Sequence, residues 1–375
     1  MAFFFWKKTM SENAFKNLIN PSVVKKTSQV FHEIYPSFDR KRFEKISPHL
    51  SELELKQRVL LVTKALREEL PQDFLADKKI LEDVLATKRL SGFELWPISE
   101  YISQYGTEDF DASMDLMYQL TQHFTSEFAI RPFLKINPQK TLRKLKSWVN
   151  DESVHVRRWI SEGTRPLLPW GGHIQSFITQ PATLHLLEEL KYDDELYVRK
   201  SVANHLNDIA KHHPELVIKV LGDWVKAAPE IHLDKIQWIK KHALRTLIKK
   251  GNKNALALMG VNQDSEFKVG GLKLNQKNFE IGETLKFEFW VESGSKKSER
   301  LIVDYLIGFV KSNGEVGFKV FKLKNSEIDS GGKIHFEKAH PLKKITTMKF
   351  YPGRHQLSIQ VNGKILKSTS WTFHP

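Results

Sequence analysis

The sequence contains no cysteine, and this absence excludes several classes of protein at once. Without thiols the chain can form no disulfide scaffold, no thiolate zinc site and no cysteine nucleophile. It also has no apolar run long enough to span a bilayer. The short apolar run within Met1–Met10 lacks the length and the cleavage site of a signal peptide. We therefore expect a cytoplasmic protein that does not span a membrane.

The common catalytic and cofactor motifs are also absent. The 15 histidines form no HExxH pattern, and we interpret His205, His212 and His213 as surface or helix-cap residues. The sequence has neither a glycine-rich dinucleotide or phosphate loop nor a GxSxG nucleophile elbow. It therefore predicts no metal and no cofactor.

Negative charge is scarce relative to positive charge. The 375 residues carry 58 Lys+Arg against 44 Asp+Glu, which gives a formal net charge of +14 and a pI near 9.5. This balance favours a polyanionic partner, with nucleic acid first among the candidates. A generally basic surface without a partner is the alternative. The hydrophobic content of 41% is sufficient for two or more folded domains.

Residues 11–260 are predicted to be all-α. Apolar residues recur three and four apart in 55–71, 110–134 and 138–151, and the loops are short, polar or marked by proline. Few stretches in this half show the period-two alternation that is typical of a strand.

The helical half also repeats with a period near 40 residues. The segment DESVHVRR begins at Asp151, and the similar DDELYVRK begins 42 residues later at Asp193. A helix pair with this period is typical of HEAT-like repeats, which stack into a solenoid. An acid six residues before an arginine is common in such repeats. We therefore interpret Asp151 with Arg157, and Asp193 with Arg199, as inter-repeat ladder contacts.

From about residue 262 the pattern changes to that of β-strands. Alternating runs of β-branched and aromatic residues are punctuated by turn signals such as Gly270-Gly271, Asn313-Gly314 and Asn362-Gly363, and the last two are strong hairpin signals. Seven or more short strands predict an immunoglobulin-like β-sandwich. The predicted fold is therefore multidomain, with an all-α HEAT-like repeat solenoid in residues 1–261 followed by the sandwich in residues 262–375.

The segment from Asp151 to Gly171 combines an amphipathic helix with an irregular end. Gly163, Pro166 and Pro169 stop the helix, because proline cannot donate to the carbonyl four residues before it, and Glu162 stands at the break. Irregular segments on a rigid scaffold carry function more often than core helices do. We therefore predict a functional site at this helix end.

Three acids, Glu127, Glu162 and Asp208, fall at comparable places in successive repeats. Equivalent positions of a solenoid line up on one face, so these carboxylates are expected to converge. Carboxylates stabilise a cation, such as an alkylated base or the oxocarbenium-like sugar formed when an N-glycosidic bond breaks, and one could deprotonate the attacking water. Trp159 and Trp170 are candidates for contact with the same cation.

A structural interpretation of the same residues stays open. Glu162 and Glu127 could pair with Arg165 and Arg131 across a helix end, and the two tryptophans could belong to the core. Phosphate contacts are expected from basic residues on the same face, namely Arg157 or Arg158, Arg165, Lys200, Lys240 and Lys241.

The segments VRRWISEGTRPLLPW, SEFAIRPFL and ANHLNDIAKHHP resemble the AlkC family of bacterial DNA alkylation-repair glycosylases. The resemblance covers residues 1 to about 260, and a C-terminal immunoglobulin-like domain that helps to grip DNA occurs in a subset of that family. It implies monofunctional excision of positively charged bases, chiefly 3-methyladenine and 3-methylcytosine, from double-stranded DNA in base excision repair, without full base flipping. No cofactor is implied, and we expect a monomer.

Two alternatives to this function remain. One is a non-enzymatic HEAT-repeat scaffold that binds nucleic acid or protein partners. The other is a glycosylase of wider range that also removes 7-methylguanine. By motif, the resemblance implies that Glu127, Glu162 and Asp208 are the catalytic acids and that Trp170 and Trp159 bind beside the lesion. As basic residues on the same face, Arg158 and Arg165 are assigned to substrate binding, and Lys200, Lys240 and Lys241 to DNA binding.

Overall fold

The computed structural model describes residues 15–262, 264–343 and 349–374. The run Met1–Met10, considered above as a targeting segment, lies outside these ranges. Within them, no helix combines the length and the apolar character that a membrane-spanning helix needs.

The chain divides into two compact units that are interleaved in sequence. The first unit comprises the chain through His212 together with Ala228–Ala243, and the second comprises His213–Ala227 together with the chain from Leu244 onward. The second unit therefore contains helices that precede residue 262 as well as the strands that follow it.

In its described residues the first unit is formed by α-helices joined by short turns, apart from one hairpin of the two-residue strands β1 (Leu167–Leu168) and β2 (Gly172–His173). This confirms the predicted helical class for this part of the chain. The 3₁₀ helices Ser47–Glu52 and Gly92–Leu95 lie between α-helices. The α-helices described in this unit include α1 (Pro21–Ile34), α2 (Arg40–Glu44), α3 (Leu55–Glu69), α4 (Phe74–Ala86), α5 (Trp96–Tyr105), α6 (Phe110–Thr121), α7 (Arg131–Ile136), α8 (Pro138–Lys146), α9 (Val154–Gly163), α10 (Gln175–Thr179), α11 (Leu184–Leu190), α12 (Leu196–Ile209) and α14 (Glu230–Ala243).

Asparagine–proline pairs begin two of these helices. The side chains of Asn20 and Asn137 accept hydrogen bonds from first-turn amides at 2.9 and 3.2 Å. Pro21 and Pro138 then occupy the first helical position, where a missing amide proton costs nothing. The same segments bury their apolar face, as the three-and-four spacing predicts.

The expected ladder between repeats is present at Arg157. Its guanidinium donates to the Asp193 carboxylate of the next repeat at 2.6 and 3.2 Å, and also to the carbonyl of Asp151 at 2.7 Å. Arg199 likewise donates to the carbonyl of Asp193 at 2.7 Å. The Asp151 carboxylate instead accepts from the Tyr118 hydroxyl at 2.8 Å. The bonds from Arg157 to Asp193 and from Tyr118 to Asp151 therefore join neighbouring repeats, whereas the two predicted acid–arginine pairs are each made within one repeat, through a main-chain carbonyl.

The segment 110–134, predicted as helical throughout, is broken in the middle. Helix α6 ends at Thr121 and α7 begins at Arg131, with turns between them. The Ser126 hydroxyl donates to the carbonyl of Met117 at 2.8 Å, and such side-chain bonds compete with helix continuation. The break places Glu127 in a non-helical segment.

The described residues of the second unit form helices and strands, which confirms the predicted change to a β-sandwich. The elements are α13 (Pro214–Ala227), α15 (Arg245–Lys249), α16 (Lys253–Leu258), β3 (Phe267–Leu274), β4 (Asn278–Glu280), β5 (Thr284–Ser293), β6 (Glu299–Val310), β7 (Val316–Ile328), β8 (Lys333–Pro341), β9 (Gly353–Val361) and β10 (Lys364–His374). One sheet has the order β4-β10-β9-β6-β7, five strands in all, and a three-stranded sheet has the order β3-β5-β8.

The two Asn-Gly pairs occupy the hairpin turns that they predict. Asn313-Gly314 joins β6 to β7, and Asn362-Gly363 joins β9 to β10 with φ of 47° and 81° at its two residues. The Gly270-Gly271 pair was expected to be a turn, and this is wrong. The pair lies inside β3 at a register shift, where a Cβ on Gly270 would come within 2.1 Å of the Trp290 ring.

The short helices of the second unit pack on its five-stranded sheet. Ile302 of β6 forms a small apolar cluster with Leu256 and Val261, and Ile248 packs against it. The Gln360 side chain of β9 donates to the carbonyl of Lys249 at 3.3 Å. Helices α15 and α16 thus share a core with the sandwich.

Candidate active site

The three candidate acids are brought together in the first unit, and all three are buried. Glu127 lies in the break between α6 and α7, Glu162 in the last turn of α9, and Asp208 in the last turn of α12. Their exposed fractions are 5%, 7% and 2%. Buried carboxylates of this kind require charged or hydrogen-bonding partners.

Two arginines link these acids into one ion-pair network, which consists of Glu127, Arg158, Glu162, Arg165 and Asp208. Arg158 contacts the Glu127 carboxylate and lies 3.6 Å from Oε1 of Glu162. Arg165 donates to the same Oε1 at 2.6 Å and, through Nε, to Asp208 at 2.8 Å. Negative and positive groups therefore alternate, with Glu162 at the centre between two guanidiniums.

Polar side chains complete the coordination of the carboxylates. The Ser201 hydroxyl donates to Oε2 of Glu162 at 2.7 Å, and the Thr125 hydroxyl donates to Glu127 at 2.9 Å. Lys211, whose side chain is partly exposed, donates to Asp208 at 3.1 Å. Each acid is thus held in a defined orientation.

The surroundings move the pKa values of Glu127 and Glu162 in opposite directions. Burial raises the pKa of Glu127, and the nearby charge of Glu162 adds to that effect, against the attraction of Arg158. Burial also opposes ionisation of Glu162, but Arg158, Arg165 and Ser201 outweigh it and lower the pKa of this group. Glu162 is therefore the acid that is held ionised, and Glu127 is the one that more readily takes up a proton.

The alternative pairing of the acids is confirmed for one pair and wrong for the other. Glu162 does pair with Arg165. Glu127 pairs with Arg158 and not with Arg131, whose guanidinium donates to main-chain carbonyls at 2.5 to 3.3 Å. The pairs are buried rather than exposed, so breaking one would leave an unpaired charge away from water.

The segment after α9 forms a small β-hairpin that sequence periodicity did not predict. Strand β1 (Leu167–Leu168) pairs with β2 (Gly172–His173), and Trp170 lies at the tip between them. Trp170 has a left-handed φ of 64° and is 65% exposed. Its ring stacks on Trp96 with centroids 6.1 Å apart and planes 15° apart. An exposed, supported aromatic ring is available for contact with a ligand.

Trp159, predicted to lie beside the substrate, belongs instead to the core. It is 1% exposed, and its ring lies 5.7 Å from that of Trp148. Position 159 falls on the apolar face of α9, so its indole points inward while Arg158 turns towards the acids. The predicted direct contact of Trp159 with substrate is therefore not supported by its position.

The predicted DNA-binding lysines differ in exposure. Lys200 is half-buried in α12, where burial lowers its pKa and the charge of Glu162 opposes that shift. On α14, Lys240 is buried and Lys241 is exposed. Lys241 is thus the member of the set best placed on the surface.

Sequence analysis missed the role of His205, which was expected at the surface and is fully buried. Its Nδ1 bonds the carbonyl of Ser161 at 2.9 Å, and its Nε2 bonds the Thr183 hydroxyl at 2.9 Å. Burial lowers the pKa of His205 to about 4, so the ring is neutral. His205 therefore supports the last turn of α9, which carries Glu162. Its position three residues before Asp208 on α12 is the signal that could have indicated this.

No group of three or more potential metal-ligating side chains was found within residues 15–262, 264–343 and 349–374. The described site consists of carboxylates, guanidiniums and one exposed indole. Such a set can stabilise and orient a cation and can accept a proton from water.

Comparison with known proteins links this chain to two relatives over nearly its whole length. The Bacillus subtilis (strain 168) protein described as uncharacterized protein YhaZ is 39% identical over 360 residues, which is 94% of this chain and 97% of that protein. The structure of Pseudomonas fluorescens alkylpurine DNA glycosylase AlkC, bound to DNA containing an abasic site analog, matches with a TM-score of 0.90 and 36% identity. That match covers 96% of this chain and 99% of the other.

A family model described as the C-terminal Ig-like domain of uncharacterised protein YhaZ matches residues 268–375. The matches thus include both the helical part and the sandwich. This chain belongs to the AlkC family of DNA alkylation-repair glycosylases.

Proposed function

We propose that the protein is a monofunctional DNA glycosylase that excises positively charged alkylated bases, chiefly 3-methyladenine and 3-methylcytosine. The observation that carries this proposal is the position of Glu162, an ionised carboxylate at the centre of the ion-pair network. Membership of the AlkC family supports the reaction class. The finer choice of substrates rests on the chemistry of the site.

The proposed reaction is hydrolysis of the N-glycosidic bond. A cationic base takes the bonding electron pair and leaves as a neutral molecule, so the enzyme need not protonate it. The sugar becomes oxocarbenium-like, and the negative charge of Glu162 stabilises it. Water then attacks the sugar, and a carboxylate accepts its proton. The raised pKa of Glu127 favours this residue as the acceptor.

The other site residues are assigned to substrate and DNA. Arg158 and Arg165 hold the acids in place beside the substrate, and Trp170 contacts the duplex beside the lesion without full base flipping. The exposed Lys241 and the half-buried Lys200 contact phosphates, whereas the buried Lys240 does not. In this proposal residues 1–261 provide the excision site, and residues 262–375 add grip on the double-stranded DNA; the protein acts as a monomer.

The test is release of base from methylated duplex DNA, analysed by chromatography. We expect 3-methyladenine, and also 3-methylcytosine from a substrate that contains it, above the level released without protein. Folded protein that releases neither base would refute the proposal. Release of 7-methylguanine at a comparable rate would replace it with a glycosylase of wider range.

One observation favours a non-enzymatic scaffold as the second candidate. Every acid of the network has an arginine partner, as a purely structural network would. Under that alternative the protein has no excision activity. Substitutions that remove a charge from the network would then change only its folding stability.

A further inference from the structure

Arg131 is a buried arginine that binds the main chain of the segment following α9. Its Nη1 donates to the carbonyls of Gly163 and Arg165 at 3.0 and 2.5 Å. Its Nε and Nη2 donate to the carbonyls of Gly171 and Gly172 at 3.3 and 2.6 Å. The guanidinium of Arg131, a residue that is 3% exposed, thus ties the start of the hairpin segment to its end.

The segment held in this way carries two side chains of the site on opposite sides. Arg165 points inward and contacts Glu162 and Asp208. Trp170 points outward at the hairpin tip and rests on Trp96. The distance between the central carboxylate and the exposed indole therefore depends on how firmly the segment is held.

The ring of Trp170 is also supported by a stack of aromatic rings. Trp96 stacks under Trp170 and is itself stacked on Phe128, with centroids 5.3 Å apart and planes 21° apart. The backbone of Trp170 occupies the left-handed region, which a residue with a Cβ adopts only when its surroundings enforce it. The carbonyl contacts of Arg131 on both flanks of the tip are such an enforcing element.

We propose that Arg131 is a positioning residue of the excision reaction, which acts by fixing Trp170 at a set distance from Glu162. This inference rests on the proposed function for its effect on catalysis. A planar fork of five N–H donors can span four carbonyls, whereas the ammonium of a lysine is a point charge with three donors. Burial lowers the pKa of Arg131 to about 10, so the fork stays protonated at neutral pH.

The test compares Arg131→Lys with a matched control, Arg58→Lys. Arg58 is also a buried arginine on carbonyls, those of Leu53, Lys16 and Ile19, at 2.8 to 2.9 Å. It lies in α3 and contacts no member of the ion-pair network in the described residues. The two substitutions should therefore cost similar stability but differ in their effect on the site.

Two readouts separate positioning from stability. In protein labelled with 5-fluorotryptophan, the ¹⁹F resonance of Trp170 is assigned by its loss in Trp170→Phe, among the nine tryptophans of the chain. We expect Arg131→Lys to shift or broaden this resonance and to lower single-turnover excision by roughly 10- to 100-fold, with affinity for undamaged DNA changed by less than about threefold. Arg58→Lys should leave the resonance and the excision rate within about twofold of wild type.

Several results would overturn the inference. One is an unchanged Trp170 resonance and excision rate in folded Arg131→Lys; another is equal loss of excision in Arg58→Lys. If Arg131→Lys does not fold, Pro169→Gly loosens the same segment, and a rigid Trp170 with normal excision in that variant refutes the idea. If wild type releases no base, the proposed function fails, and the ¹⁹F signal still decides whether Arg131 positions Trp170.

Discussion

The sharpest perturbation of the site is Glu162→Gln, which removes one charge while keeping the shape of the side chain. Glutamine can still accept a hydrogen bond from Ser201, which now lies 2.7 Å from the carboxylate. What changes is the negative charge at the centre of the ion-pair network. If that charge stabilises the oxocarbenium-like state, excision must fall far more than folding stability does.

The network sets the size of both effects. Arg158 keeps its contact with Glu127, and Arg165 keeps Asp208 at 2.8 Å, so neither guanidinium loses all its carboxylates. The cost in unfolding free energy should therefore be about 1–2 kcal/mol, less than the roughly 3–5 kcal/mol of an orphaned buried charge. Excision should fall by about 10²–10³-fold, as when one preorganised electrostatic group is removed.

The assay is single-turnover release of 3-methyladenine, with DNA affinity and urea unfolding measured on the same samples. Glu69→Gln is the matched control, because Glu69 is 5% exposed and accepts from Arg42 at 2.7 Å outside the ion-pair network. We expect the control to lose stability and keep excision. A folded Glu162→Gln that excises within about threefold of wild type would remove Glu162 from the mechanism.

Further predictions concern His205, Trp170 and Asp304. The pKa of His205 is lowered to about 4, so its contribution to folding stability is fully present above pH 6.5 and falls by about 3 kcal/mol as the pH drops towards 4. His205→Gln should flatten this pH dependence in unfolding titrations, and an unchanged slope would contradict the prediction. Trp170→Gly should be about 1 kcal/mol more stable than Trp170→Ala, since glycine adopts a φ of 64° without the steric cost that a Cβ brings, and both should lose excision; equal stabilities would mean that the turn is unstrained. Burial raises the pKa of Asp304 to about 6, so its favourable protonated form is lost as pH rises through 6; Asp304→Asn should raise unfolding free energy above that pH by about 1–2 kcal/mol after solvent screening, and a destabilised variant at pH 8 would refute this.

The packing of the second unit affects how the role of the sandwich is tested. Ile248 and Leu256 belong to helices that precede residue 262, yet they share an apolar cluster with Ile302 of the sandwich. Deleting residues 262–375 would expose that cluster and destabilise α15 and α16. Point substitutions on the sandwich surface are therefore a cleaner test of DNA grip than truncation.

Local patterns predicted the fold well where a single rule decides the structure. Asn362-Gly363 must form a tight hairpin because both residues adopt positive φ. The 42-residue period predicted that Asp193 would serve as a contact between repeats, and Arg157 of the preceding repeat binds it. The hairpin is decided by two adjacent residues, and the contact at Asp193 by the regular spacing of the repeats.

Prediction failed where two distant segments determine a side chain's partner. The structural alternative paired Glu127 with Arg131, yet Arg158 from the next repeat takes that place. The inward direction of Trp159 depends on the exact rotation of α9. These outcomes depend on side-chain packing across repeats, which periodicity does not specify.

The repeat period alone does not predict that Asp208 reaches the site. With a shift of 42 residues, Glu162 corresponds to Asn204, which lies one helical turn before Asp208. Helix α12 has 14 residues and α9 has 10, so the extra turn carries Asp208 to Arg165. The difference in helix length, rather than exact equivalence, completes the network.

The contacts of Arg131 and Arg158 also restrict how such a solenoid can evolve. Repeat proteins commonly grow or shrink by duplication and loss of whole repeats, because each repeat contacts only its neighbours. Here Arg131 of one repeat binds the hairpin of the next repeat, and Arg158 of that next repeat binds Glu127 of the first. A repeat inserted between them would separate both pairs at once. We therefore expect the candidate site to be inherited as a single block, with variation in repeat number confined to the chain outside it.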